Sequence, residues 1–263
     1  MAKEAIDITC DGLLAAMKTA KPDVWEYQVE AVLEETYKKR NAFDWGFPSI
    51  IASGPNATTL HYETNQRQMK NGDLLLMDVG AEYKYYTADV TRTIPVNGKF
   101  SPEQIEIYNI VYEAQEAAMK AIHAGAKLPD VHNAGSEVVK QGLKKLGLIT
   151  DTNGDQYKTW FMHGVSHWLG MDVHDTGERA KQLQPGMIFT VEPGIYIRSD
   201  ALDNLGSTPE NEKFKAAVKS AFEKYKNIGV RIEDDVLVTS TGYELLSKKA
   251  PRAIADVEKA MAQ

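Results

Sequence analysis

Four acidic residues and one histidine-rich run carry the reactive side chains of this sequence. Phe161–Asp175, FMHGVSHWLGMDVHD, holds His163, His167 and His174, three of the six histidines in the chain, among Phe, Met, Val, Trp and Leu. A packed core excludes imidazoles, and a solvated surface excludes that many apolar neighbours, so the run reads as the polar lining of an apolar cleft. Asp78 and Asp89 lie on the two arms of a hairpin-like stretch, DLLLMDVGAEYKYYTADVTRTIPV. With its centre at Tyr83–Lys84, the two aspartates face each other across the ladder. Like charges directly opposite destabilise a sheet, and burying a carboxylate unpaired costs on the order of several kcal/mol. A divalent cation between them removes both costs. Glu192 in FTVEPGIY and Glu233 in GVRIEDDVLV are each an acid inside a strand-like apolar run, where carboxylates are rare unless paired or ligated.

Charge sets the stoichiometry. Asp78, Asp89, Glu192 and Glu233 together carry −4, which two divalent ions balance. A neutral histidine adds a nitrogen ligand without charge. Four carboxylates and one imidazole suit a two-metal site with bridging carboxylates. The oxygen-rich shell favours Mn2+, with Co2+, Fe2+ or Zn2+ as alternatives. His163 and His167 have the spacing of the helical His-Glu-x-x-His zinc motif, but position 164 is glycine, so the motif's general-base glutamate is missing. At most one of the two is then a ligand, which leaves the other for substrate. His123 and His132 fall at helix ends and read as surface residues.

Helices and strands must hold these groups. Apolar spacing predicts two helices within Met1–Arg40, broken at Pro22. SIIASGPNATTLHYE predicts a strand, a Gly-Pro-Asn turn and a second strand. A helix follows from Ser101, with Pro102 at its first position, Gln104 completing a capping box and Gly125 ending it. Another runs from Asp130 to Gly147. After the histidines come two strand-like segments, and Ser199–Lys226 between them is helical and reads as a surface elaboration or an interface. The order helices, strands, helices, strands predicts an α+β fold with an antiparallel sheet and two similar halves.

Composition narrows the function classes. The 263 residues suffice for one large domain or two small ones. Thirty-seven acidic against 30 basic side chains give a charge of −7, which argues against nucleic acid as main partner. No apolar run approaches the ~20 residues of a membrane span, and the start lacks a signal-peptide pattern. The single cysteine, Cys10, forms no internal disulfide, so a reducing, cytoplasmic setting is expected. Cys10 itself reads as a half-buried helix residue.

Four motifs in order, MDVGAEYKYYTADVTRTIPVNGKFS, HGVSHWLGMDVHD, TVEPGIY and RIEDD, resemble the proline-specific aminopeptidase P branch of the pita-bread metallopeptidases, with the likeness running from roughly Asp11 to Leu246. The resemblance implies a curved antiparallel sheet flanked by helices, with halves related by a pseudo-twofold, and a dinuclear, usually manganese, site. Carried over motif by motif, the ligands are Asp78, Asp89, His167, Glu192 and Glu233. His163 and His174 resemble the substrate-side histidines, His61 in TTLHYE a histidine of the substrate cleft, and Arg231 an arginine supporting the site, with Tyr196 nearby. The implied reaction removes the N-terminal residue from peptides with proline second, by a hydroxide bridging the metals. Glu192 is expected to shuttle the proton and His174 to help stabilise the oxyanion. Trp168 and Leu169 are expected to form an apolar wall for the proline ring.

The alternatives are a prolidase restricted to Xaa-Pro dipeptides, a methionine aminopeptidase, and a non-catalytic binding module. Relatives of the last kind lose ligands, whereas all five are present here. The expected partner is a peptide, with no nucleic acid and no membrane, and a homo-oligomer is compatible with the family. Proteins of this branch normally carry a further N-terminal, creatinase-like domain. The expectation here is a single catalytic domain over 1–263 without it.

Overall fold

Helices α1 (Ala2–Thr19) and α2 (Glu26–Lys39) open the chain and part at Pro22, as the apolar spacing predicts. The structure is a computed structural model and describes residues 1–262; Gln263, the last residue of the expected domain, lies outside the described residues. α1 turns Ile6, Leu13 and Met17 inward, and its Cys10 is fully buried rather than half-buried.

Next come β1 (Asp44–Trp45), β2 (Ile50–Ser53), β3 (Leu74–Val79), β4 (Ala81–Tyr83), β5 (Tyr86–Thr87) and β6 (Val90–Pro95). β2, β3 and β6 form an antiparallel sheet in the order β2-β3-β6, and β4 and β5 prolong it into a hairpin tip that β1 joins. The strand expected after the Gly-Pro-Asn turn does not form. Gly54–Thr58 is a 3-10 turn and the chain then runs irregularly past His61. The cause is the buried Glu26 on α2. One carboxylate oxygen accepts from the Ser53 amide and hydroxyl and from Asn56; the other accepts from the Tyr62 hydroxyl and the Arg67 amide. The segment's polar groups find partners on one side chain instead of a ladder.

The hairpin turns at Lys84–Tyr85, one residue beyond the expected centre. Both have left-handed backbones (φ 52° and 69°), as a two-residue type I′ turn requires. Asp78 therefore pairs with Thr91, and Asp89 falls opposite Gly80, so the two aspartates are diagonal neighbours rather than directly opposed. A Cβ on Gly80 would lie 1.8 Å from the Ala88 carbonyl oxygen, so only glycine fits there.

The order of elements then repeats. α3 (Pro102–Lys120) begins with the expected capping box, Ser101 and Gln104 bonding each other's backbone amides. It ends at Lys120, before Gly125, which takes a left-handed φ in the following loop. α4 (Leu128–Lys145) packs against α3. β7 (Ile188–Val191), β8 (Gly194–Tyr196), α5 (Pro209–Tyr225), β9 (Gly229–Arg231), β10 (Asp234–Thr239), β11 (Gly242–Leu245) and α6 (Ile254–Met261) complete the fold. α5 buries Phe214, Val218 and Phe222, so Ser199–Lys226 includes a packed layer of the fold.

β7 with β10 and β8 with β9 share one antiparallel register, broken at Glu192–Pro193 on one side and Ile232–Glu233 on the other. The glutamates expected inside strands therefore sit at the breaks. Pro193 has no N–H for the ladder. The Glu192 amide donates to the Val165 carbonyl (2.8 Å) and the Glu233 amide to the Thr91 carbonyl (3.1 Å). The result is an α+β fold of curved antiparallel sheets flanked by helices. Among the described residues, no helix is long and apolar enough to cross a membrane.

Candidate metal centre

Each half of the fold contributes two carboxylates to one cleft of about 410 Å³. Asp78 and Asp89 come from the hairpin arms; Glu192 and Glu233 come from the strand breaks, where the shared register sets them opposite each other. His167 is carried between them on the irregular run after Phe161, which forms no helix. Its Nε2 lies 3.3 Å from Asp89, 3.5 Å from Glu192 and 3.9 Å from Glu233. Its Nδ1 donates to the Trp168 carbonyl (3.0 Å), which leaves the Nε2 lone pair facing the carboxylates.

Asp89, His167 and Glu233 each offer a donor atom, all within 4.8 Å of one another, and form a metal-binding cluster. The chemistry of the remaining donors fits a cation as well. Oδ1 of Asp78 and Oδ1 of Asp89 are buried without a hydrogen-bond partner, a costly state for anionic oxygens that a cation relieves.

Electrostatics point the same way. Burial, then the Asp78 charge, pushes the Asp89 carboxyl well above the usual carboxylate range. Burial, then Asp89 and Glu192, does the same to Glu233. Burial pushes Glu192 up to about 8. Burial also acts to raise Asp78, but Arg231, with the Thr91 hydroxyl, outweighs it and holds this carboxyl low. Arg231 pairs with Asp78 and donates to the Thr91 hydroxyl (3.1 Å) and to the Tyr196 hydroxyl (2.8 Å). Tyr196 in turn lies 2.7 Å from His163 Nε2, and His163 Nδ1 lies 2.8 Å from the Gly164 carbonyl. Burial, then Arg231, lowers His163 to about 3, so its ring is neutral.

His61 and His174 stand on the exposed rim, with His174 edge-on to His167 at 4.5 Å. The five expected ligands, together with His61, His163, His174, Arg231 and Tyr196, therefore gather in or beside this cleft. Trp168 and Leu169 do not. They line a separate hollow with Thr176 and Lys181, because the Trp168 ring packs against Phe189 and over Gly177. His132 is not a surface residue either. It is half-buried, stacks on Phe161 and takes the Val165 amide on Nδ1 (3.3 Å); His123 is exposed as expected.

Several supporting residues escape a reading of the sequence. Arg92 and Asp234 form a fully buried ion pair, and Arg92 also donates to the Glu233 carbonyl (2.6 Å) and to Ala250 and Pro251. Asp235 accepts the Asp89 amide (3.1 Å), and Thr91 donates to Glu233 (2.7 Å). Arg179 reaches into the cleft and donates to the Ser166 carbonyl. Three consecutive acids in an apolar strand, Glu233–Asp235, were the available signal for the buried network.

Known proteins of similar sequence and fold are numerous. The chain is 40% identical to Xaa-Pro aminopeptidase of Haemophilus influenzae over 98% of its own length and 58% of that protein. It is 36% identical to Xaa-Pro aminopeptidase 3 of Homo sapiens over 97% of its length and 48% of that protein. It thus spans about half the length of these relatives. The solved structure of aminopeptidase PepP from Pseudomonas aeruginosa matches with a TM-score of 0.88 at 40% identity, covering 99% of this chain and 57% of that one. Aminopeptidase P from Escherichia coli with the inhibitor Pro-Leu matches equally, at 37% identity over the same shares. The fold is the pita-bread fold that the motifs imply. The model of metallopeptidase family M24 matches residues 1–240, and this chain belongs to that family.

Proposed function

We propose that this chain hydrolyses the first peptide bond of peptides with proline in second position, as the names of its relatives suggest for them. The carrying observation is the convergence of three carboxylates, Asp89, Glu192 and Glu233, on one imidazole nitrogen, with Asp78 in the same cleft and two buried carboxylate oxygens lacking any other partner. Asp78, Asp89, His167, Glu192 and Glu233 would hold two divalent cations, Mn2+ by preference for their oxygen-rich shell. Cations bound there supply Lewis acidity, which makes a water nucleophilic and polarises a carbonyl.

The remaining steps belong to the protein. Glu63, which lies beside Asp78 and Asp89 and is not one of the ligands, leaves an unbalanced negative charge at that end of the cleft, where a peptide's ammonium group is attracted. The adjoining hollow of about 180 Å³ is bordered by Phe47, Pro48, Ile50 and Val173 and suits the first side chain. Glu192 carries the proton from the attacking water to the leaving nitrogen, its Oε2 lying 3.5 Å from His163 Nδ1. Arg231 and Tyr196 fix His163 in one tautomer. His174 and His61, on the rim, face the scissile carbonyl and stabilise its developing charge.

The test is elemental analysis of the purified protein together with a panel of Xaa-Pro, Xaa-Pro-Yaa and Xaa-Ala-Yaa peptides. Two metal equivalents with cleavage of both proline series support the reading. One tightly held zinc at full activity removes the two-metal part. Cleavage of Xaa-Pro dipeptides alone moves the assignment to prolidase.

A further inference from the structure

Between Thr59 and Asn65 the chain runs along the rim of the cleft with no ladder to hold it. Leu60 and His61 line the cleft itself, and His61 and Glu63 line the hollow beside it. The Thr59 amide donates to the Asn56 carbonyl (2.9 Å), the last backbone bond before this stretch. Among the described residues, the only hydrogen bonds anywhere in 60–64 are those of the Tyr62 hydroxyl. Asn65 secures the far end. It takes a left-handed backbone (φ 50°), and its side chain pairs with β2 as a strand would, accepting the Ile51 amide (3.0 Å) and donating to the Ser49 carbonyl (2.8 Å).

Tyr62 lies between His61 and Glu63 and turns the other way, half-buried, with its hydroxyl 2.8 Å from Glu26. Glu26 is fully buried, and its donors come from the end of β2 (Ser53), the 3-10 turn (Asn56), Tyr62 and the Arg67 amide. A carboxylate bonded on both oxygens from four places is a fixed point. Burial, then Glu26, raises the Tyr62 pKa, so the hydroxyl keeps its proton and donates. Leu60 and the Tyr62 ring also pack on a small apolar cluster with Ile50, Ala57 and Tyr196. Apolar packing is non-directional, so it holds the stretch near the fold without setting where the His61 imidazole points.

We infer that Tyr62 is a positioning residue whose hydroxyl, anchored on Glu26, holds the His61 imidazole toward the metal cleft. This role rests on the hydrolytic reading above and deepens it, because His61 acts on the scissile carbonyl only if its backbone is fixed. Glu26 and Tyr62 touch neither the metal ligands nor the substrate in this arrangement, and they act through His61.

The test is a double-mutant cycle on the metal-loaded protein with Xaa-Pro-Yaa peptides. Tyr62→Phe keeps the ring and its packing and removes the hydroxyl. It should lower kcat about tenfold, the scale of a site group displaced by a fraction of an ångström, with KM changed less than about twofold and metal content constant. In a His61→Ala background the same change should cost less than about twofold, because the group it holds is gone. A hydroxyl that only supports the fold would cost the same in both backgrounds. Glu26→Gln, which replaces one accepting oxygen by an NH2 group, should show the same dependence on His61 and decides the matter if Tyr62→Phe does not fold. Equal losses in the two backgrounds, or no loss in either, overturn the inference. Chymotrypsin, which cuts after aromatic and large apolar residues, reads the tie without turnover. Nicking after Leu60 or position 62 should quicken at least about tenfold in Tyr62→Phe. Nicking that neither variant changes overturns the tie. Faster nicking in both variants of a protein that cleaves no Xaa-Pro peptide keeps the tie and discards the hydrolytic reading.

Discussion

Glu192 stands opposite Glu233 where a single antiparallel strand pair breaks, and His167 Nε2 lies 3.5 Å from one carboxylate and 3.9 Å from the other. Two carboxylates so placed repel each other, and burial adds to the cost. The folded protein lowers that cost in one of two ways, by holding protons there or by holding cations.

Stability without metal should therefore fall as pH rises. Burial raises Glu192 to about 8 and pushes Asp89 and Glu233 upward, so the folded state keeps protons that the unfolded chain has released. Stability from such groups is complete below the unfolded carboxylate range and is lost as pH approaches the folded value. His163, lowered from 6.5 to about 3, acts in the opposite sense, but only below about 6.5. Between about pH 6.5 and about pH 8 the carboxylates alone decide, and the Tm of chelator-treated protein should drop. Added Mn2+ should stabilise most at the upper end of that window and release protons, measurable by calorimetry in buffers of different ionisation enthalpy. A flat or rising Tm across the window in chelator would contradict this account.

Glu192→Gln and Glu233→Gln should separate repulsion from catalysis. Each removes one negative charge at nearly constant shape. At pH 8 and without metal, both variants should melt higher than the unaltered protein. Turnover should fall by about 10²–10⁴-fold in Glu192→Gln, the range for losing a proton-transfer group. Glu233→Gln should lose metal as well as activity. Near-normal turnover at full metal occupancy would remove the tested residue from the mechanism.

Tyr196→Phe tests the arrangement around His163. The hydroxyl bonds both His163 (2.7 Å) and Arg231 (2.8 Å), and all three side chains are largely buried. Its loss strands two polar atoms, for about 1–3 kcal/mol of stability. Turnover should fall about tenfold while metal content stays constant. Denaturant unfolding and metal analysis of the same preparation check both parts; an unchanged unfolding midpoint would show that the hydroxyl is not holding the pair.

What was legible in the sequence depended on how local the signal was. The Ser101–Gln104 cap and the Pro22 break are set by a few adjacent residues, and both form as the local chemistry dictates. The hairpin register was not legible. It turns on left-handed Lys84 and Tyr85, in place of the Asn-Gly or Asp-Gly pair that marks such turns. The opposition of like charges reasoned for Asp78 and Asp89 is instead realised by Glu192 and Glu233, whose pairing joins segments about forty residues apart and has no local mark. Trp168 shows the same limit. Nothing in HWLG says which side of the chain the indole takes, and packing on Phe189 and Gly177 turns it away from the cleft.

Arg92→Met should be among the most damaging single changes. The guanidinium is fully buried against Asp234 and ties Glu233, Ala250 and Pro251 together through their carbonyls. Removing one partner of a buried pair costs about 3–5 kcal/mol because the other charge is left behind. Urea unfolding measures the loss, and a change under about 1 kcal/mol would mean that Ser247, Gln115 and Arg252 suffice to hold Asp234.

His174→Ala addresses the chemistry at the rim. The imidazole is exposed, stands edge-on to His167 at 4.5 Å, and has its pKa lowered by burial and by His167, so above pH 7 it is neutral and offers one N–H. The proposed substrate, a tertiary Xaa-Pro amide, has no N–H of its own and would be recognised through the carbonyl and the shape of the ring. A donor aimed at that carbonyl matters most when the oxygen gains charge, so it acts on the transition state more than on the bound substrate. His174→Ala should lower kcat by about 10²–10³-fold, as losing one oxyanion donor does, and change KM by less than about threefold. The variant should keep its metal, because His167 is fixed from the other side by the Trp168 carbonyl. Steady-state kinetics on Xaa-Pro-Yaa peptides, with metal content measured alongside, give the split. A loss carried by KM with kcat intact would assign His174 to substrate binding alone and leave the oxyanion to the remaining groups of the cleft.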